Sequence, residues 1–235
     1  EQTIHPYPDG GGSYIVSRDN LGELPALIAG AALLTDYILT VAVSVSSGVA
    51  QIVSAFPDTF DYRVWIASGF VLLITIINLR GVRESGTLFA IPSYFFVAMM
   101  YLTVGVGLFR YFSGTLGIVS NPPEMEMLNG LQPVTFFLIL KAFSSGSTTL
   151  TGVEAISNGV TAFKEPRSKN AGITLIWMSV ILGSLFLGIS HLTGQTGAVF
   201  SEEETVVSQL ARTVFEGRGP LYLAAIGATT VILIL

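Results

Sequence analysis

From Leu24 to Leu235 the chain alternates long apolar stretches with short polar connectors, the stretches falling at about 24–56, 64–79, 87–112, 133–163, 173–193 and 219–235. About 20 residues at 1.5 Å rise cross a ~30 Å hydrocarbon core as a helix. The pattern therefore predicts six membrane-crossing helices, the second of them short. Lipid offers no partners to the backbone, so only helices or closed barrels span it. A barrel would need repeated ~10-residue alternating segments, and the sequence has no such repeat. Pro25 and Pro220 stand where a first-turn proline opens a helix.

The stretch 133–163 is too long for a plain span, because one straight helix over it would reach about 46 Å. At its centre lies SSGSTTLTG, residues 144–152, polar where a lipid-facing helix is most apolar. A helix interrupted between about Ser144 and Gly152, with backbone groups turned to a cavity, accounts for both features. Small residues permitting close helix packing are the alternative. Packing alone does not call for Glu154, and the broken helix is the preferred reading.

Composition agrees with membrane embedding. The 235 residues are 51% hydrophobic and 11% charged, with a mean hydropathy of +0.67, whereas soluble domains carry about 25% charged residues. A net charge of −5 and the lack of a dense basic run argue against a nucleic-acid partner. With no cysteine there is no disulfide framework, thiolate nucleophile or thiolate metal site.

Two carboxylates are out of place in this setting. Asp36 lies within 24–56 and Glu154 within 133–163, and an acid at mid-bilayer costs roughly 2.5–3.5 kcal/mol on insertion scales. Such residues face a protein interior or a water-filled path, where they bind cations or carry protons. The two are expected to approach across one central cavity. Asp36, Thr40, Ser44 and Ser47 recur four, four and three residues apart, which makes one polar stripe on a helix. Tyr37 lies beside it. Single hydroxyls in membrane helices often bond their own i−4 carbonyls, so the stripe gains its meaning from the carboxylate it leads away from.

Other candidates weigh less. Lys141 is 13 residues from Glu154, about 20 Å along a continuous helix, and reads as an interfacial lysine rather than its partner. His191 has no second His or Cys at metal-ligand spacing and reads as interfacial. DGGGSY, residues 9–14, lacks the Lys and Ser/Thr of a phosphate loop, and no GxSxG nucleophile motif is present. These features disfavour an enzyme. Arg18, Arg80, Arg83, Lys164, Arg167 and Lys169 collect on one side of the predicted helices, against Arg63, Arg110, Arg212 and Arg218 on the other. The first set then marks the cytoplasmic side, and Glu202, Glu203 and Glu204 lie outside. A start without Met and an apolar end read as an internal fragment, with 1–235 a single transmembrane transporter domain.

GGGSY followed by NLGELP, and FKEPRSKNA after a glycine-containing helix, resemble motifs of the amino acid–polyamine–organocation permeases. The resemblance runs over essentially the whole chain and implies an all-α polytopic membrane protein, part of a five-plus-five inverted-repeat (LeuT-like) bundle. The segments would be about helices three to eight, with the first two and the C-terminal part outside the sequence. TDYILTVAVSVSS and TGVEAI are similar to stretches of the potassium uptake permeases, closest to their KimA-like branch, although Val41 stands where many members have proline. The resemblance implicates Asp36, Tyr37, Thr40, Ser44, Thr151 and Glu154 in binding potassium or another substrate, and Glu154 or Asp36 in proton coupling.

What this implies is proton-coupled potassium import by alternating access, in a multi-pass protein of the bacterial plasma membrane. Potassium is the only metal, with the residues just named as ligands; potassium ion, proton and lipid bilayer are the partners, with a homodimer implied by the family, and no cofactor. A proton-coupled amino acid or polyamine permease, and a transport-inactive nutrient receptor, are the alternatives. Carboxylates, hydroxyls and unwound carbonyls suit a dehydrated alkali cation, and two acids also suit a cationic amino acid.

Overall fold

A computed structural model describes residues 6–7, 10, 12–79, 86–123, 134–147 and 151–235. Its elements are α1 (Gly12–Leu21), α2 (Glu23–Ala55), a 3-10 turn at Pro57–Tyr62, α3 (Arg63–Leu79), α4 (Gly86–Phe112), α5 (Phe136–Ser147), α6 (Thr151–Asn158), α7 (Arg167–Thr196), α8 (Val206–Val214) and α9 (Pro220–Ile234). No strand occurs among the described residues. Among the described residues, four segments are long and apolar enough to cross a membrane: Glu23–Ala55, Pro57–Ile77, Ala90–Phe112 and Arg167–Thr196. Phe136–Gly146 and Pro220–Ile234 are shorter apolar helices. The chain is an all-α polytopic membrane protein.

Each apolar stretch of the sequence therefore carries at least one helix. The short second stretch gains length at its start, where the 3-10 turn at Pro57–Tyr62 leads directly into α3. The overlong stretch 133–163 holds two helices, α5 and α6. The interruption expected between about Ser144 and Gly152 includes residues 148–150, which lie outside the described residues. Gly22, at φ +97°, turns the chain between α1 and α2, a conformation that only glycine adopts without strain. Gly219 and Pro220 open α9 in the roles expected of a non-helical cap and a first-turn proline.

Two compact units are present, 1–39 with 128–182, and 40–127 with 183–235. In the first, Val160, Ala171 and Leu175 form a small buried core against which Ile156, Phe163 and Met178 pack. This core fastens α6 to the start of α7. The Asn170 side chain donates to the Lys164 carbonyl (2.8 Å) and closes the connection between the two helices.

The second unit is larger. Val45, Val49 and Val53, at i, i+4 and i+8, make a valine ridge on α2 that packs against Phe60, Ile66, Phe70 and Ile74. Helices α4 and α7 approach closely: a Cβ on Gly188 would stand 2.5 Å from Val104, and one on Gly107 would stand 2.6 Å from Leu192. In lipid, association rests on close packing of this kind.

The same unit carries a buried polar network around α8. Thr205 caps the helix by accepting from the Ser208 amide (3.2 Å). The Glu204 carboxylate pairs with the Arg212 guanidinium at 3.1 Å and accepts from the Ser208 hydroxyl (2.9 Å). Gln209 bonds the backbone of Val199 in both directions. Arg212 also donates to the Ser120 carbonyl (2.8 Å), and Tyr222 of α9 donates to the Ser54 carbonyl at the end of α2 (3.2 Å). Glu202 and Glu203 are exposed, whereas Glu204 is buried. The acidic run is thus two solvated residues and one structural ion-pair partner.

Candidate functional site

The candidate residues of the first unit are assembled by α6. Glu154 and Asn158 are four residues apart and share one face of the helix. Ile156, two positions from each, points the other way and packs into the Val160–Ala171–Leu175 core. That packing fixes the rotation of α6 and presents Glu154 and Asn158 away from the core.

Two other helices meet this face. The Ser13 hydroxyl, in the first turn of α1, donates to a Glu154 carboxylate oxygen. From α2, the Tyr37 hydroxyl accepts a 2.6 Å hydrogen bond from Nδ2 of Asn158. The glycines ahead of Ser13 explain the close approach of α1. Gly12 is at φ +43°, and a Cβ there would stand 1.8 Å from Oδ1 of Asn158; one on Gly10 (φ +80°) would stand 2.7 Å from the Asn158 carbonyl oxygen. Gly10 and Gly12 therefore bring backbone against α6, and Ser13 is seated on Glu154.

Oδ1 of Asn158 is buried and has no hydrogen-bond partner among the described residues. A buried, unpaired acceptor is costly. With it, the α6 face presents an amide oxygen, a carboxylate, a phenol oxygen and the Ser13 hydroxyl. These are oxygen donors of the type that replaces the hydration shell of an alkali cation.

Asp36 precedes Tyr37 on α2; it is half-buried and makes no hydrogen bond or ion pair among the described residues. Thr151 is the first residue of α6. Further along α2, in the second unit, Thr40 and Ser44 are also half-buried, as is Ser47, while Ile38, Leu39, Val41 and Val43 are exposed. The polar stripe thus follows the partly covered side of the helix. Thr35 turns its hydroxyl back to the Ala31 carbonyl (2.9 Å), but neither Thr40 nor Ser44 makes such a bond among the described residues, which leaves both hydroxyls available.

The structure brings Tyr37 and the Glu154 helix together through Asn158, a residue that the sequence reading did not single out; its i+4 spacing from Glu154 is the signal that could have found it. Ser13 was read only as part of a motif. Lys141 is exposed and forms no ion pair among the described residues, and the partner of Glu154 is Ser13 instead. His191 stacks edge-on with Tyr111 at 5.0 Å between ring centroids. Substitution Tyr37→Phe keeps the ring and removes the acceptor of Nδ2 of Asn158. It is expected to cost up to about 1 kcal/mol, read as a small drop, of about 1 °C, in the thermal midpoint of the complete protein. An unchanged midpoint would mean the bond contributes nothing.

Comparison with known proteins extends this picture. A family described as amino acid permease matches residues 4–235. The chain is 49% identical over 235 residues to the potassium transporter KimA of Bacillus subtilis, covering 100% of this chain and 38% of that protein. It is 33% identical over 186 residues to the low affinity potassium transport system protein Kup of Pectobacterium atrosepticum, covering 77% of this chain and 27% of that protein. A Kup protein of Cronobacter sakazakii is 30% identical over 168 residues, 68% of this chain and 24% of its own length. The chain spans less than two fifths of the length of these curated relatives. With a match that runs over nearly its whole length, this helical chain belongs to the amino acid permease family, whose members are membrane carriers and not enzymes.

Proposed function

We propose that the complete protein, in the bacterial cell membrane, imports potassium together with protons by secondary active transport. The observation that carries this reading is the 49% identity, over all 235 residues, to a protein named as a potassium transporter. The oxygen-only character of the candidate site supports it. Asp36, Tyr37, Thr40, Ser44, Thr151 and Glu154 supply ligands for the dehydrated cation, with Asn158 and Ser13 orienting Tyr37 and Glu154.

Coupling follows from one carboxylate serving two cations. A potassium ion and a proton each take up the negative charge of the carboxylate they bind. Proton and potassium therefore compete for the same group, and either Glu154 or Asp36 carries the proton. The helices of a five-plus-five inverted repeat would rock around this site, with α6 moving against α2.

The test is flux. The complete protein in proteoliposomes, with an inward proton gradient, is expected to accumulate potassium. Lysine accumulation without potassium flux would favour an amino acid permease, and ligand binding without any flux would favour a receptor. Substitutions Thr40→Ala and Ser44→Ala each remove one neutral ligand. Each is expected to weaken apparent potassium affinity by about 5- to 10-fold with the maximal rate largely kept. An unchanged affinity in both variants would remove the lower half of the α2 stripe from the site.

A further inference from the structure

Between α2 and α3, alongside the valine ridge, the second unit has an open groove of about 680 Å³. Its walls are apolar and small: Ala42, Val49 and Val53 from α2, Val64, Ala67 and Val71 from α3. Of the hydroxyls that line it, two are spent within their own helix, Ser68 on the Val64 carbonyl (2.8 Å) and Thr75 on the Val71 carbonyl (2.7 Å). From Val64 to Thr75 the groove runs about 16 Å along α3, which is one leaflet of a ~30 Å hydrocarbon core.

One end of the groove is charged. Arg63 and Glu202 both line it, and neither forms an ion pair among the described residues. Arg63 is held over the Phe60 ring at 4.0 Å and donates once to the Phe60 carbonyl (3.1 Å). Most of its five donors remain for another partner. Tyr62 and Trp65, 63% and 77% exposed, flank it, and exposed aromatics of this kind sit at the headgroup level of a bilayer. The charged end therefore lies at the membrane surface and the apolar walls descend into one leaflet.

We propose that this groove is a lipid site that prefers phosphatidylethanolamine. The phosphate takes the Arg63 guanidinium, the primary ammonium takes the Glu202 carboxylate, and one acyl chain lies between α2 and α3. A cation and an anion side by side match a zwitterionic headgroup. A purely anionic headgroup would meet the Glu202 charge, and a quaternary choline ammonium cannot donate a hydrogen bond to it.

The experiment is native mass spectrometry of the complete protein with phosphatidylethanolamine, phosphatidylglycerol and phosphatidylcholine of identical chains. A second readout cross-links a diazirine-tailed phosphatidylethanolamine. Wild type is expected to retain phosphatidylethanolamine about tenfold more strongly than the other two and to cross-link within residues 42–53 or 64–75. R63Q should lose retention of phosphatidylethanolamine and phosphatidylglycerol, E202Q should lose only the preference between them, and Ala42→Phe, at an exposed wall position, should block all three at an unchanged thermal midpoint. Equal retention of the three lipids, stronger retention of phosphatidylglycerol, or cross-linking unaffected by R63Q would overturn the proposal. So would the lack of any cross-link in this segment, which would mean that protein covers the groove.

Discussion

Glu154→Gln in the complete protein is expected to reduce potassium uptake by about 10- to 100-fold, since an interaction with a charged group is worth about 1.5–3 kcal/mol and each 1.4 kcal/mol is tenfold. The amide keeps the shape and one oxygen, and can still accept from Ser13, so the fold of the α6 face survives. What it loses is the charge and the titration. Asp36→Asn makes the same change on α2, next to Tyr37. The pair of variants separates two roles. If one acid carries the proton, its amide should lose accumulation driven by a pH gradient yet keep potassium exchange at equilibrium. An amide at a cation ligand should lose both. The readout is proteoliposome flux at matched protein incorporation, so that misfolding is not counted as lost chemistry. Wild-type uptake in both variants would overturn the assignment of either acid to the site.

Glu204→Ala is expected to have the largest effect on stability. The side chains of the pair are 10% and 14% exposed for Glu204 and Arg212 respectively, and removing one partner of a buried pair costs about 3–5 kcal/mol because the other charge is stranded. Here the stranded group is Arg212, and the Ser208 hydroxyl loses its acceptor at the same time. The expected outcome is a loss of about 3 kcal/mol, at the lower end because both side chains keep some solvent, measured by thermal unfolding of the complete protein. Arg212→Met alone should be comparably harmful. The double variant Glu204→Leu with Arg212→Met should be less destabilised than the two single effects added, since no charge is then left unpaired. An unchanged midpoint for Glu204→Ala would show that the network around α8 is not holding that end of the unit together.

Much of the architecture was legible in the hydropathy pattern. Lipid enforces internal backbone pairing, so each apolar stretch had to be helical, and α2, α3, α4, α7 and α9 lie where the stretches predicted them. The polar stripe on α2 was legible for the same reason: helical periodicity is local, and the structure keeps Asp36, Thr40, Ser44 and Ser47 together on the partly covered side. Ser13 was not legible as a partner of Glu154, because the two are 141 residues apart and nothing local connects them. Glu204 could not be told from Glu202 and Glu203 by composition. Its burial is set by Arg212 and Ser208 on the following helix, where an eight-residue spacing and a capped helix start place the guanidinium back over it. Asn158 lay within reach, since four residues on a helix place it beside Glu154, but an uncharged amide drew no attention among two misplaced acids.

The sockets at Gly107 and Gly188 have a dynamic consequence. With Leu192 seated at the first and Val104 at the second, a slide of α4 along α7 by one residue would remove a side chain from each socket and drive a neighbour into the opposing wall. The two contacts together therefore resist a slide of one helix along the other. Within the second unit, α4 and residues 183–196 of α7 then behave as a single strut. Distance labels placed on α4 and on residues 183–196 of α7 should then read the same separation throughout the cycle.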